Sequence, residues 1–345
     1  MLVGFALGWG AVMTEGTPLP EVSKETGVIR GKFHPLWLLL KTLVSLGLIA
    51  VVFWKLDLAS VWEKTRQLSG VLILSIALMF VAQVYFAAWR WWVILRHHHL
   101  KTSLSSAVGI CFIGAFFNQL LPSSIGGDVA RAWYVYRSGE GRKISAITVL
   151  SDRIYGMLTL VGLAVVSFPV LVYFSVAREA LVGVGVLIVG SSSALLAAFW
   201  LDRLPGWMQR WPAIRHLGSL SEATRAITAD RRAVVPLLGL SMLIHGITAA
   251  AILILLAAIA HQSNLLLYAA LVPAIMLMAM IPISIAGWGV RESTMIYGLG
   301  LAKVSPEAAL VVSILVGLSL AAVGVLGGLM WVIQINRDRP RELVA

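Results

Sequence analysis

The chain has 345 residues, 59% of them hydrophobic and 12% charged, with a mean hydropathy of +0.90. Soluble domains carry roughly 25% charged residues, so this composition excludes a soluble globular protein and indicates an integral membrane protein. The net charge of +11 then belongs to the loops, where Lys and Arg favour the cytoplasmic side and meet anionic headgroups rather than nucleic acid.

Residues 1–35 read as an N-terminal extension, partly disordered, with Met1 or Met13 as the start. The apolar stretch Met1 to Met13 is too short for a span and lacks the Lys or Arg that precedes the core of a signal peptide. Eight apolar segments long enough to cross a bilayer follow: 36–54, 70–95, 104–121, 145–174, 180–200, 233–260, 265–286 and 306–334. They predict an all-α, polytopic helical membrane domain over 36–334, with a tail at 335–345. Cys111 is the single cysteine and lies in an apolar run, which makes it a packing residue and leaves no partner for an intrachain disulfide. Trp89, Trp91 and Trp92 beside Arg90 and Arg96 read as an interfacial belt, as do Trp207 and Trp211 beside Arg210 and Arg215. The linker 201–232 carries six arginines, among them Arg203, Arg225, Arg231 and Arg232, and is expected to lie amphipathically on the cytoplasmic headgroups. Eight crossings counted outward from that linker put both termini outside. Arg337, Arg339 and Arg341 argue against this.

Two stretches interrupt the apolar pattern. Pro122-Ser-Ser-Ile-Gly126-Gly127-Asp128-Val-Ala-Arg131 and Pro282-Ile-Ser-Ile-Ala-Gly287-Trp-Gly289-Val-Arg291 agree at five of ten positions. Each ends an apolar run and leads into a helix-compatible stretch, which suggests an internal repeat with two Pro/Gly-broken or re-entrant elements. Four segments separate the copies, so the copies are parallel unless one element is re-entrant. Proline ends the incoming helix, glycine lets the backbone turn, and a new helix is expected near Asp128 or Val290. A helix start with free N–H groups suits an anion, and Arg131 or Arg291 adds a bidentate donor for phosphate. The alternative is that the glycines serve only close helix packing. Broken segments in corresponding halves point to a transporter's binding site.

Ser151-Asp152-Arg153 forms a second polar island. Asp152 and Arg153 are neighbours and do not face each other on a helix, so their partners are sought in Asp128, Arg131, Arg291 and Glu292, as one near-neutral network. Gln83 and Asn118 are expected to bond between helices or to cap a break, and His245 to pack. His97-His98-His99 reads as an interfacial flank rather than a metal site, because consecutive helical residues point apart.

Asn118-x3-Pro122-x3-Gly126-Gly127-Asp128-x2-Arg131, then Ser151-Asp152-Arg153, then Pro282-x4-Gly287-x-Gly289-x-Arg291-Glu292 resemble the lysylphosphatidylglycerol synthase transmembrane family, also called the flippase-like domain. The resemblance runs from about Leu36 to Gln334. It implies a stand-alone bacterial or archaeal protein of lipid-moving type, placed in the inner (cytoplasmic) membrane, without the aminoacyl-transferase domain fused to some relatives. The family usually shows Glu-Arg followed by Asp three residues later, whereas here Asp152-Arg153 is followed by Gly156. The expected function is binding of a polar, phosphate-bearing lipid headgroup and its movement between leaflets, with no covalent chemistry, cofactor or metal. Arg131 and Arg291 would hold phosphate, the acids Asp128, Asp152 and Glu292 would orient them or receive a cationic headgroup, and Arg153 is counted with the same site. The alternatives are a membrane-embedded headgroup-modifying enzyme and a non-transporting scaffold. Partner proteins considered are a second copy of the chain and a lipid-synthesis enzyme. No Gly-x4-Gly-Lys-Ser/Thr loop for ATP is present.

Overall fold

The computed structural model describes residues 58–120, 125–203, 212–260, 264–280 and 287–337, and every regular element among them is helical. In chain order these are α1 (Leu58–Arg66), α2 (Gly70–His97), α3 (Leu104–Leu120), α4 (Gly126–Arg137), α5 (Arg142–Tyr173) and α6 (Arg178–Trp200). After a short 3-10 turn at Leu201–Arg203 come α7 (Pro212–Ala229), α8 (Arg231–Ala260), α9 (Leu265–Ala279), α10 (Val290–Gly300) and α11 (Pro306–Arg337). Helices are the form in which an isolated segment satisfies its own backbone in lipid. α2, α5, α6, α8 and α11 are long and apolar enough to cross a membrane, while α3 and α9 are shorter apolar helices. The expected span 36–54 lies outside the described residues, as do Pro122, Pro282 and the Trp207 belt.

The two Pro/Gly elements are helical hairpins. Asn118, near the end of α3, accepts a hydrogen bond at 2.8 Å from the Gly127 amide at the start of α4. One turn back along α3, a side chain on Gly114 would meet the Gly127 carbonyl and the Arg131 stem. Further out, Ala107 and Cys111 pack with Ala132 and Val135. α4 therefore runs back along α3. In the second element, Gly298 of α10 packs on Ile275 of α9 so closely that a Cβ would clash. Gly287 and Gly289 have φ of +82° and +85°, which glycine adopts without the Cβ penalty of other residues.

The expected repeat is visible in the element lengths. α2 to α5 have 28, 17, 12 and 32 residues, and α8 to α11 have 30, 15, 11 and 32. Packing follows the same exchange: α3 lies on α11 as α9 lies on α5, and α2 lies on α11 as α8 lies on α5. α2 and α8 pack on each other along a polar seam. Gln83 donates to Thr248 at 2.9 Å, Arg90 to Ser241 at 2.9 Å, and His97 lies 3.4 Å from Asp230. Partner numbers fall along α8 as they rise along α2, so the two helices are antiparallel and the halves are inverted relative to each other.

Hairpins that return to their own side bear on the crossing count from α2 to α11, while both termini and the expected span 36–54 lie outside the described residues. The end of α2, the link between α4 and α5, the 201–232 linker and the end of α11 then share one end of the bundle. That end carries Arg96, Lys101, Arg137, Arg142, Lys143, Arg203, Arg225, Arg231 and Arg232, against Lys64, Arg66, Arg178 and Lys303 at the other. By the bias of Lys and Arg in short loops, the first end is expected to face the cytoplasm. An apolar hairpin arm has nearly the length of a span, so run length alone does not separate a crossing from the re-entrant alternative.

Single cysteines at Glu140, Glu179, Glu222 and Glu307 in a Cys111→Ala background test this arrangement with a membrane-impermeant thiol reagent. Glu179→Cys and Glu307→Cys should label from outside, and Glu140→Cys and Glu222→Cys only after permeabilisation. Labelling of Glu140→Cys from outside would mean that α3 and α4 together cross the membrane.

Candidate functional site

Three helices deliver five charged side chains to one place. Asp128 and Arg131 stand three residues apart on one face of α4, Asp152 and Arg153 lie on α5, and Arg90 on α2. Asp152 accepts from Arg90 Nε at 2.7 Å and from Arg131 Nη2 at 3.0 Å. Asp128 accepts the fork of Arg153, Nε at 2.8 Å and Nη2 at 3.0 Å, with Arg131 Nη1 3.7 Å away. Arg131 also lies over the Trp91 ring, 4.4 Å from its centroid. Asp152 and Arg153 thus take different partners from other helices, as their directions on α5 require. Four of the five side chains are buried, and Arg153 alone reaches the outside, with 36% of its side chain exposed.

Three guanidinium groups against two carboxylates leave this network at +1. Trp91 Nε1, Arg131 Nε and Ser151 Oγ are buried beside it with no hydrogen-bond partner among the described residues. Gly127 is held tightly, since a Cβ there would meet the Gly114 carbonyl and Asn118. The packing reading therefore holds at Gly127, and its amide, expected to face an anion, is already taken by Asn118. Gly126 is buried in the first turn of α4.

The second element forms a separate cluster. Arg291 pairs with its own neighbour Glu292, Nη2 to Oε1 at 2.8 Å, and lies over Trp288, 4.6 Å from the ring centroid. Glu292 Oε2 accepts from the Gly289 amide at 2.6 Å, and Ser313 of α11 donates to Oε1 at 3.2 Å. Gly317 of α11 makes room for the Arg291 guanidinium. No hydrogen bond or ion pair joins the two clusters among the described residues. The single near-neutral network is thereby corrected to two: one of charge +1, the other balanced within itself. The i, i+1 pair forms because Glu292 turns back to cap the helix start at Gly289 and there meets the Arg291 side chain.

Sequence reasoning missed Arg90 and Trp91. Both were grouped with an interfacial belt, yet Arg90 is 7% exposed and Trp91 is fully buried. The available signal was position, since Arg90 lies two helical turns inside the end of α2 and Trp89, on another face, is 39% exposed. Gln83 and Asn118 behave as expected, bonding between helices and closing a break. His245 donates from Nε2 to the Gly156 carbonyl at 2.9 Å. Among the described residues His97 meets a carboxylate, that of Asp230, and burial together with its two His neighbours pushes His98 down to about 4. In the linker, a hydrogen bond from Arg225 holds the Asp202 carboxyl below the usual carboxylate range.

Asp152→Asn removes the charge between two buried arginines and should cost about 3–5 kcal/mol in detergent thermal stability, against about 0.5–1.5 kcal/mol for Ser313→Ala. Native stability for Asp152→Asn would remove the network from the architecture. Gly127→Ala should destabilise by about 1–3 kcal/mol through overpacking, while Gly109→Ala, with open space around it, should be nearly neutral.

No curated protein sequence and no solved structure matches the chain. The family described as "Lysylphosphatidylglycerol synthase TM region" matches residues 38–328, which cover α1 to α10 and most of α11 and contain both hairpins and both charged clusters. This chain therefore belongs to the lysylphosphatidylglycerol synthase transmembrane family.

Proposed function

We propose that the protein binds the phosphate of a lipid headgroup at the Arg90–Asp152–Arg131–Asp128–Arg153 network and moves the lipid between leaflets, in a bacterial inner membrane and without covalent chemistry. The observation that carries this is a buried network of charge +1 whose single outward-reaching member is Arg153. A lone surplus charge at membrane depth is costly, and an anionic ligand would balance it. Arg153 presents a planar fork suited to a phosphate, and Arg131, 3.7 Å from Asp128, stands ready to hold that carboxylate when Arg153 turns to a ligand. Gly156 bears on the surplus. A Cβ at this position would lie 3.0 Å from Arg90 Nη1, and the family pattern places an acid here. An acid would neutralise the third arginine, and glycine leaves it in excess. The inverted halves fit the architecture in which secondary transporters place substrate between repeats. Arg291 and Glu292, occupied with each other and with Ser313, hold α10 to α11 in this reading rather than contact lipid.

Purified protein in liposomes with a leaflet-specific assay of fluorescent phospholipid tests the proposal. Wild-type protein should accelerate lipid movement, and Arg153→Gln should slow it at least about tenfold while remaining folded, the loss of one charge-assisted pair. Arg153→Lys should rescue poorly, because lysine keeps the charge and loses the fork. Wild-type protein that moves no lipid, or full activity of Arg153→Gln, would overturn the assignment.

A further inference from the structure

His245 stands on α8 within the polar seam, one turn after Ser241 and one turn before Thr248. An ionisable group at this depth usually marks a pathway for ions or protons. The imidazole is 9% exposed. Its Nε2 donates to the Gly156 carbonyl at 2.9 Å, which leaves Nδ1 as a bare lone pair, buried with no partner among the described residues. Gly156 also borders the charged network. A Cβ on it would lie 3.0 Å from Arg90 Nη1, and Asp152 and Arg153 stand one turn back on α5. At the next level of the seam the Gln83 amide, which donates to Thr248, keeps its Oε1 buried and unpartnered among the described residues, a spare acceptor. Around His245, α2 brings Arg90, and α5 brings Asp152, Arg153 and Tyr155, whose hydroxyl is bonded to Thr228 of α7. α7 itself brings Glu222 and Arg225, the latter held by Asp202. α9 carries Tyr268, and α11 carries no titratable residue between Glu307 and Arg337.

We propose that His245 is a proton site and that the protein moves one proton with each anionic lipid, an inference that rests on reading the neighbouring network as the site of the lipid phosphate. Without ligand the network carries one surplus positive charge, and an imidazolium at His245 would raise the surplus to two at membrane depth. A phosphate diester held by Arg153 cancels the first charge, so the imidazolium then restores only the surplus of the empty site. Lipid and proton each favour the binding of the other, and the effect is reciprocal. The proton adds to the Nδ1 lone pair from water on the side where lipid binds and leaves Nδ1 for water where lipid is released. A lipid anion and a proton cross together, so the cycle is electroneutral. The Nε2–H bond to the Gly156 carbonyl keeps the ring in place throughout. Arg90 links this site to the lipid site, because the same guanidinium bonds Asp152 and Ser241 and borders Gly156.

Liposomes carrying the full chain and acyl-labelled phosphatidylglycerol test this, with protein-free liposomes as the baseline. A lumen about one pH unit more alkaline than the medium should concentrate the label in the inner leaflet, up to about tenfold over the outer, since one proton per lipid passes on the full proton ratio. Without an imposed gradient, labelled lipid added to the outer leaflet should acidify the lumen, read by a trapped pH dye. His245→Gln keeps an amide N–H for the Gly156 carbonyl and binds no proton. It should bring the label to equal amounts in both leaflets under either condition, with no lumenal pH change. His245→Asn, which also binds no proton, is the second variant should the first be unstable in detergent. Wild-type movement that ends evenly across the gradient, with lumenal pH unchanged, would overturn proton coupling and leave the lipid-binding reading standing. Accumulation equal to wild type by a folded His245→Gln or His245→Asn would overturn the assignment to His245. Wild-type protein that moves no lipid would overturn both readings.

Discussion

Asp152 is shared by Arg90 and Arg131, and the arrangement of the first half rests on that sharing. Lipid offers no hydrophobic drive for one helix to choose another, so polar contacts and close packing have to specify the neighbours. One carboxylate on α5 binds α2 and α4 at once. Through Arg90 it reaches Ser241 on α8, and through Arg131 it reaches Asp128 and so returns to Arg153 on its own helix. Four helices are joined by groups that would each be costly alone in a low-dielectric setting, which is why removal of one member is expected to cost far more than loss of a solvated pair.

The halves share a plan and differ in charge. Arg131 and Arg291 stand at matching places in the two Pro/Gly motifs, each over a tryptophan ring. Counted from helix starts, the positions matching Asp152 and Arg153 are Val316 and Gly317, and that matching Arg90 is Ala251. The second arginine consequently has only its neighbour to balance it. Where the first half spreads its charge over three helices and one side chain reaches outward, the second closes on itself within a single turn and one serine of α11.

Much of this was legible in the residues. Composition and apolar run length gave the class, and seven of the eight apolar segments fall on described helices. The two Pro/Gly motifs marked the hairpins, because backbone interruption in a membrane segment requires turn residues. Direction was not legible. A run such as 104–121 has the length of a crossing, and it is the Asn118–Gly127 bond, the Gly114 contact and the packing of Ala107 and Cys111 with Ala132 and Val135 that show the chain returning. Arg90 was hidden for a related reason, since arginine beside three tryptophans has the composition of an interface whether the helix ends there or continues two turns further. Partner choice at Arg291 also escaped, because sequence spacing alone does not anticipate that Glu292 turns back to cap the helix start.

The polar seam between α2 and α8 has a consequence for sliding. Gln83, Arg90 and His97 recur every seven residues, and Thr248 and Ser241 answer the first two at the same interval. Such spacing fixes longitudinal register much as buried polar residues do in a coiled coil. A slip by one turn displaces the helices by about 5.4 Å. It would face Arg90 with the fully buried Leu237 in one direction or with His245 in the other, and would leave its link to Ser241 broken. The pair behaves as a toothed rack that is locked against translation, so relative motion of the two halves is channelled into tilting about the seam.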